Sequence, residues 1–280
     1  MTTGLIVTLV LTVGVGLSLG LLGGGGTILA VPLLTYVAGM SPQEAIASSM
    51  FIIGVTALIS VWTHARRGNV HWRTGLIFGV ASMAGAFGGG VLGSQLPGVV
   101  LMVAFSIMML VTALAMVIDR RTPSAPKNEK KLPILKISVE GLAVGLVTGM
   151  VGAGGGFLVV PALVLLGGLT MPAAVGTSLL IIALKSFSGM AGYLTSVNID
   201  WGPVLTITAV TVAGALVGSA LSRHVPDQAL KKAFGYFVLA MGVTVLLQEL
   251  HVAFGAIAAA AIVVLLTLLR VRRRRHGPQA

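Results

Sequence analysis

An all-α polytopic membrane protein is the fold class that three features of the sequence predict, built as two inverted-topology repeats with glycine-broken re-entrant helices plus an extra C-terminal helix. The first is composition: 56% of the 280 residues are hydrophobic and 9% are charged, with a mean hydropathy of +1.03. So few charges cannot cover a soluble surface of that apolarity. The second is a passage written twice. Gly20–Pro32 (GLLGGGGTILAVP) returns as Gly149–Pro161 (GMVGAGGGFLVVP) at an offset of 129 residues. The third is loop charge, which marks the two copies as facing opposite ways.

Along the chain, apolar segments run over 4–22, 28–38, 44–62, 74–95, 99–118, 134–151, 157–167, 173–194, 203–222, 233–249 and 253–270. A full helical crossing needs about 20 residues. Segments 28–38 and 157–167 are too short to cross alone, and each follows a glycine cluster, so they read as returning arms of broken helices. Their length leaves open whether those arms cross or turn back. Asp119 to Lys131, polar and holding two prolines, reads as a solvated linker. Gly4–Leu22 reads as part of the fold, because no basic region precedes it as in a cleaved signal peptide. The predicted organisation is a first repeat over 1–118, a cytoplasmic linker over 119–133, a second repeat over 134–250, an extra transmembrane helix over 251–270 and a basic tail over 271–280.

The duplication extends past the glycines. From Leu17 to Leu34, 9 of 18 positions are identical to their counterparts in Leu146 to Leu163. At the same offset Ala45/Ala174, Ser49/Ser178, Asn69/Asn198, Trp72/Trp201, Gly85/Gly214, Gly89/Gly218 and Pro97/Pro226 also match. Equivalent loops carry opposite signals. Arg66, Arg67 and Arg73 surround Asn69, whereas the loop at Asn198 has Asp200 and no cation. After Pro97 there is no cation, whereas Lys231 and Lys232 follow Pro226 and Arg223 precedes it. By the positive-inside rule the matching loops lie on opposite faces. One path satisfies every loop, with the N-terminus outside and Arg272 to Arg275 in the cytoplasm.

The net charge of +11 is gathered in short clusters between apolar segments, which is membrane topology rather than a nucleic-acid surface. The chain has no cysteine, so disulfides and thiolate metal sites are excluded. No paired carboxylates, HExxH, GxSxG or Walker motif is present. The sequence therefore predicts neither an enzyme nor a bound cofactor or metal. The expected partners are a small anionic substrate and the lipid bilayer; a homodimer is compatible with the sequence.

A non-helical stretch at membrane depth must be buried in protein or line a cavity. Gly23, Gly24, Gly25, Gly26 and Thr27 form one such break, and Gly152, Gly154, Gly155 and Gly156 the other. Glycines tolerate positive φ and close approach, and a helical arm starting after each break would aim free N–H groups and its dipole at an anion. Small residues also pack helices, but two breaks related by inversion favour paired half-sites. The helix after each arm carries a stripe at heptad spacing: Ser49, Thr56 and Thr63 in one copy, and Ser178, Lys185 and Gly192 in the other. Ser48, Ser60, Thr177, Ser186 and Ser188 flank it. Lys185 stands near the middle of 173–194, where an ammonium costs several kcal/mol unless a cavity or counter-charge receives it. Glu44, Glu140 and Glu249 all lie near segment ends, so an anionic substrate or the carbonyls of the second break would have to serve. Glu44 reads as a first-turn dipole partner, His64 and His71 as solvated among loop arginines, and Trp62, Trp72 and Trp201 as interfacial anchors.

The two glycine passages, together with GMSPQEAIASS at Gly39–Ser49, GLTMPAAVGTS at Gly168–Ser178 and NIDW at Asn198–Trp201, resemble the TauE/SafE family of sulfite and organosulfonate exporters. The similarity reaches from the N-terminus to about Gln248. It implies secondary transport of small sulfur oxyanions such as sulfite or sulfoacetate across a bacterial cytoplasmic membrane. By this resemblance Gly23–Gly26, Ser48–Ser49, Gly152–Gly156 and Thr177–Ser178 would lie nearest the substrate. The first copy departs in having Ala47-Ser48-Ser49 where the second has Gly176-Thr177-Ser178. The expected function is alternating-access export of such an anion. The alternatives are an anion channel, or a non-transporting scaffold or intramembrane enzyme.

Overall fold

The computed structural model describes residues 2–22, 27–118, 134–152, 171–221 and 238–250, together with Val159, Val160, Leu163, Leu169 and Tyr236. The described residues are helical and contain no strand. The helices are α1 (Thr2–Leu22), α2 (Ala30–Pro32), α3 (Pro42–Ala65), α4 (Trp72–Gln95), α5 (Gly98–Ile118), α6 (Ile134–Val151), α7 (Met171–Tyr193), α8 (Trp201–Leu221) and α9 (Val238–Leu250). The broken arm starts as a tight turn over residues 27–29, passes through α2 and widens into a π-helical turn at Leu33–Val37. Pro32 has no N–H to continue an α-helical ladder, and the wider turn follows it directly. Among the described residues, predicted segments and helices agree within a few residues, and the returning arm over 157–167 lies largely outside them. The proposed extra helix over 251–270, the tail over 271–280 and the linker over 119–133 lie outside the described residues.

Local signals set the helix ends. Ser41 caps α3 by accepting the Glu44 N–H at 3.4 Å, and Pro42 takes the first turn, where its missing N–H costs nothing. Gly68 closes the α3–α4 turn at φ +72°, a conformation that favours glycine. The helix starts of α3 and α7, and of α4 and α8, each differ by the offset of the sequence duplication, 129 residues.

Packing repeats with the sequence. On α4, Gly85 and Gly89 face the carbonyls of Leu142 and Leu146 on α6. On α8, Gly214 and Gly218 face Val13 and Leu17 of α1. Gly145 and Gly149 of α6 and Gly16 and Gly20 of α1 complete the two interfaces. Glycines four residues apart share one helix face, so backbones can approach where any Cβ would collide. Exchanging the halves turns one interface into the other.

The same contacts give direction. Numbers rise together along α4 and α6, along α1 and α8, and along α4 and α7, where Gly75 meets Thr177 and Gly90 meets Gly189. Along α3 and α7 they run oppositely: Met50 meets Gly189, Gly54 meets Phe187 and His64 meets Gly176. The central helices α3 and α7, equivalent by the duplication, therefore run in opposite senses.

α3 and α7 form the centre, each with 72% of its most apolar stretch buried, against 44% for α4 and α8. These four helices are long and apolar enough to cross a membrane. Outward faces carry Val80, Phe87, Leu92, Ile107, Val111 and Leu205, an apolar exterior suited to lipid. Trp62, Trp72 and Trp201 are exposed at helix ends, and the Arg66 guanidinium lies 4.9 Å from the Trp62 ring centre. The first broken arm is tied to α9 by the Tyr36 hydroxyl, which donates to Glu249 at 2.8 Å.

His64 departs from its predicted place. It is buried at the end of α3 rather than solvated. The flanking arginines face out, but Gly176 of the other half has no side chain and receives the His64 Cβ. His71 is exposed, as expected.

Candidate functional site

The central α3–α7 pair carries the polar stripe predicted from the sequence. Ser48, Ser49, Thr56, Thr177, Ser178 and Lys185 are all buried there. Most of these hydroxyls are already committed. Thr56 donates to the Ile52 carbonyl at 2.6 Å and Ser178 to that of Val175 at 2.8 Å. Ser49 donates toward Ile46 at 2.7 Å and Gly152 at 3.1 Å. Hydroxyls bonded back to their own helix keep lone pairs free but have no spare proton. Thr177 accepts the His71 N–H at 2.9 Å and so pins the α3–α4 loop to the second half. Ser48 Oγ has no partner among the described residues.

Of the glycine breaks, Gly152 is described. It ends α6 at φ +76°, with its N–H on the Thr148 carbonyl at 3.0 Å, which is a left-handed helix cap. The expected positive φ is present, but both backbone groups of Gly152 are occupied within the protein. Thr27 is buried. Gly23, Gly24, Gly25, Gly26, Gly154, Gly155 and Gly156 lie outside the described residues.

Lys185 is 2% exposed, and among the described residues its one hydrogen-bond partner is the Thr148 hydroxyl, at 3.0 Å. The Thr148 hydroxyl donates to the Val144 carbonyl at 2.7 Å, which aims a lone pair at the Lys185 Nζ. A neutral hydroxyl stabilises a buried cation but does not neutralise it. Beside the pair is a cavity of about 10 Å³, lined by Met50, Ala86, Thr148, Gly149, Lys185 and Ser186. Ser186 is buried, and its Oγ has no partner among the described residues. Four helices thus bring together a cation, an unpaired hydroxyl and a lone pair.

Of the residues predicted from sequence to bind substrate, Lys185 lines this cavity. Ser186 flanks the stripe in sequence, whereas Thr148 and Met50 belong to no sequence pattern that points to the site. Thr148 had one available signal, as a hydroxyl in an otherwise apolar turn just ahead of the second glycine passage. Met50 had none. A second cavity of about 10 Å³ lies where the first half meets α8, among Thr12, Val15, Ala30, Leu33, Leu34, Ile52, Ile207 and Thr211, and is lined by no charged group.

An all-helical, multi-pass bundle with a duplicated sequence and a buried lysine at its centre is an arrangement that membrane transporters use. The family model described as sulfite exporter TauE/SafE matches residues 8–245, and the chain belongs to that family. A probable membrane transporter protein of Xylella fastidiosa is 34% identical over 256 residues, covering 85% of this chain and 95% of the relative. The probable membrane transporter protein YdhB of Bacillus subtilis is 28% identical, covering 78% and 90% of the two chains. One from Methanocaldococcus jannaschii is 27% identical, covering 76% and 81%. No solved structure matches.

Proposed function

We propose that this protein is a secondary transporter that exports a small sulfur oxyanion, such as sulfite, sulfoacetate or another organosulfonate, across the bacterial cytoplasmic membrane by alternating access. The observation that carries this reading is Lys185: a cation buried within a spanning helix, beside a cavity, with a neutral hydroxyl as its described partner. An anion supplies the charge that the described residues leave out. The opposed directions of α3 and α7 support alternating access, since one half can rock against the other around a central site. In this reading Gly23–Gly26 and Gly154–Gly156, which lie outside the described residues, supply backbone donors to the anion. Ser49, bonded to Gly152, and Thr177, bonded to the His71 backbone N–H, tie together the elements that carry it. The inside-negative potential drives an anion outward, so export needs no coupled proton.

The test is counterflow of radiolabelled sulfite in proteoliposomes containing the full chain. Label is expected to accumulate above the level of empty liposomes and to be chased by unlabelled sulfite. Flux no greater than in empty liposomes, for sulfite and sulfonates alike, overturns the proposal.

A further inference from the structure

We propose that Met50 sets the size of anion admitted beside Lys185 and restricts this chain to an inorganic oxyanion of sulfite size. This rests on the transport reading above and names the substrate class at the same site.

The cavity at Lys185, about 10 Å³, has room for about one water-sized sphere. An oxyanion must push a wall aside, and the walls differ in how far they can yield. On one side α4 and α6 meet backbone to backbone: Gly149 packs on the carbonyl of Ala86, and Gly89 on that of Leu146. Both lining residues there, Ala86 and Gly149, have nothing to rotate. On the polar side Lys185 is tied to Thr148 at 3.0 Å, while Ser186 Oγ is buried and unpartnered among the described residues, ready to donate to an oxygen of the guest. Met50 closes the remaining side and is buried. Its thioether lies over Gly189, where an added Cβ would stand 2.9 Å from the sulfur and 3.1 Å from the terminal methyl.

Methionine is unbranched and has three rotatable bonds, so it can make room by changing rotamer without moving a helix. That room has a limit. The oxyanion's oxygens occupy the polar side, so any carbon substituent on sulfur points toward Met50 and competes with its side chain for the same space. Sulfite has no such substituent. At the equivalent position the second half carries the branched Leu179, so the methionine is confined to the first half.

The test uses the full chain in proteoliposomes, with radiolabelled sulfite counterflow competed by unlabelled sulfite, methanesulfonate, ethanesulfonate and sulfoacetate. Native protein is expected to prefer sulfite over methanesulfonate by at least about 10-fold, the scale on which a pocket discriminates one methyl-sized group. The ratio is expected to fall stepwise through Met50→Leu, Met50→Val and Met50→Ala, with the alanine variant losing most of the preference. The graded series keeps the proposal testable if the alanine variant fails to fold. An unchanged ratio in the variants that retain sulfite flux, or a native protein that takes sulfoacetate as well as sulfite, overturns the assignment of Met50 while leaving transport intact. Absence of sulfite and sulfonate flux in native protein overturns the transport reading itself.

Discussion

The second half holds Lys185 against Thr148; at the same places the first half holds Thr56 and Leu19. Around these positions the two halves use one scaffold. Gly145 and Gly149 of α6 lock into α4 as Gly16 and Gly20 of α1 lock into α8. Yet Thr56 satisfies itself on its own helix, and Leu19 is buried among apolar neighbours. Duplication supplied two equal frames, and only one received a charge. The glycine interfaces therefore belong to folding, which both halves share, while the cation belongs to the site, which they do not.

The largest expected effect tests the shared frame. Gly89→Leu drives a Cβ onto the Leu146 carbonyl, and Gly218→Leu does the same at Leu17. Backbone atoms cannot rotate away, so each substitution is expected to cost at least about 3 kcal/mol, the upper part of the overpacking range. Thermal unfolding in detergent should show both variants falling by similar amounts. A large drop in one and none in the other would break the equivalence of the two interfaces. A smaller effect separates the halves. Thr148→Val removes the hydroxyl from a buried ammonium and is expected to cost about 1.5–3 kcal/mol, whereas Thr56→Val gives up a bond within its own turn and should cost less than about 1 kcal/mol. Equal losses of melting temperature would mean that Lys185 does not depend on Thr148.

How much of this was legible in sequence follows the same division. The helices were readable because lipid-sized apolar runs end at charges, prolines and glycines, and those signals act locally. Lys185 was readable because an ammonium inside an apolar helix has few innocent explanations. Thr148 and Met50 were not, because what gives them meaning is the meeting of α6, α3 and α7, which no local pattern records. His64 shows the limit most plainly. Its sequence neighbours Arg66 and Arg67 suggest water, but it is buried, and Gly176, 112 residues away, lets its Cβ come close by having no side chain. The glycine breaks pointed correctly to a positive φ at Gly152, but its N–H turned back to Thr148.

The central claim, that the anion is held by the charged half, is tested most directly by sulfite counterflow in Lys185→Met and Thr56→Met proteins, reconstituted side by side at equal density. Removing one member of a desolvated charge pair costs about 2–5 kcal/mol, or roughly 30-fold to several thousand-fold in affinity. The expected result is loss of counterflow in Lys185→Met and retention within a few-fold of native in Thr56→Met. Native flux in Lys185→Met, with both proteins folded, would contradict the account.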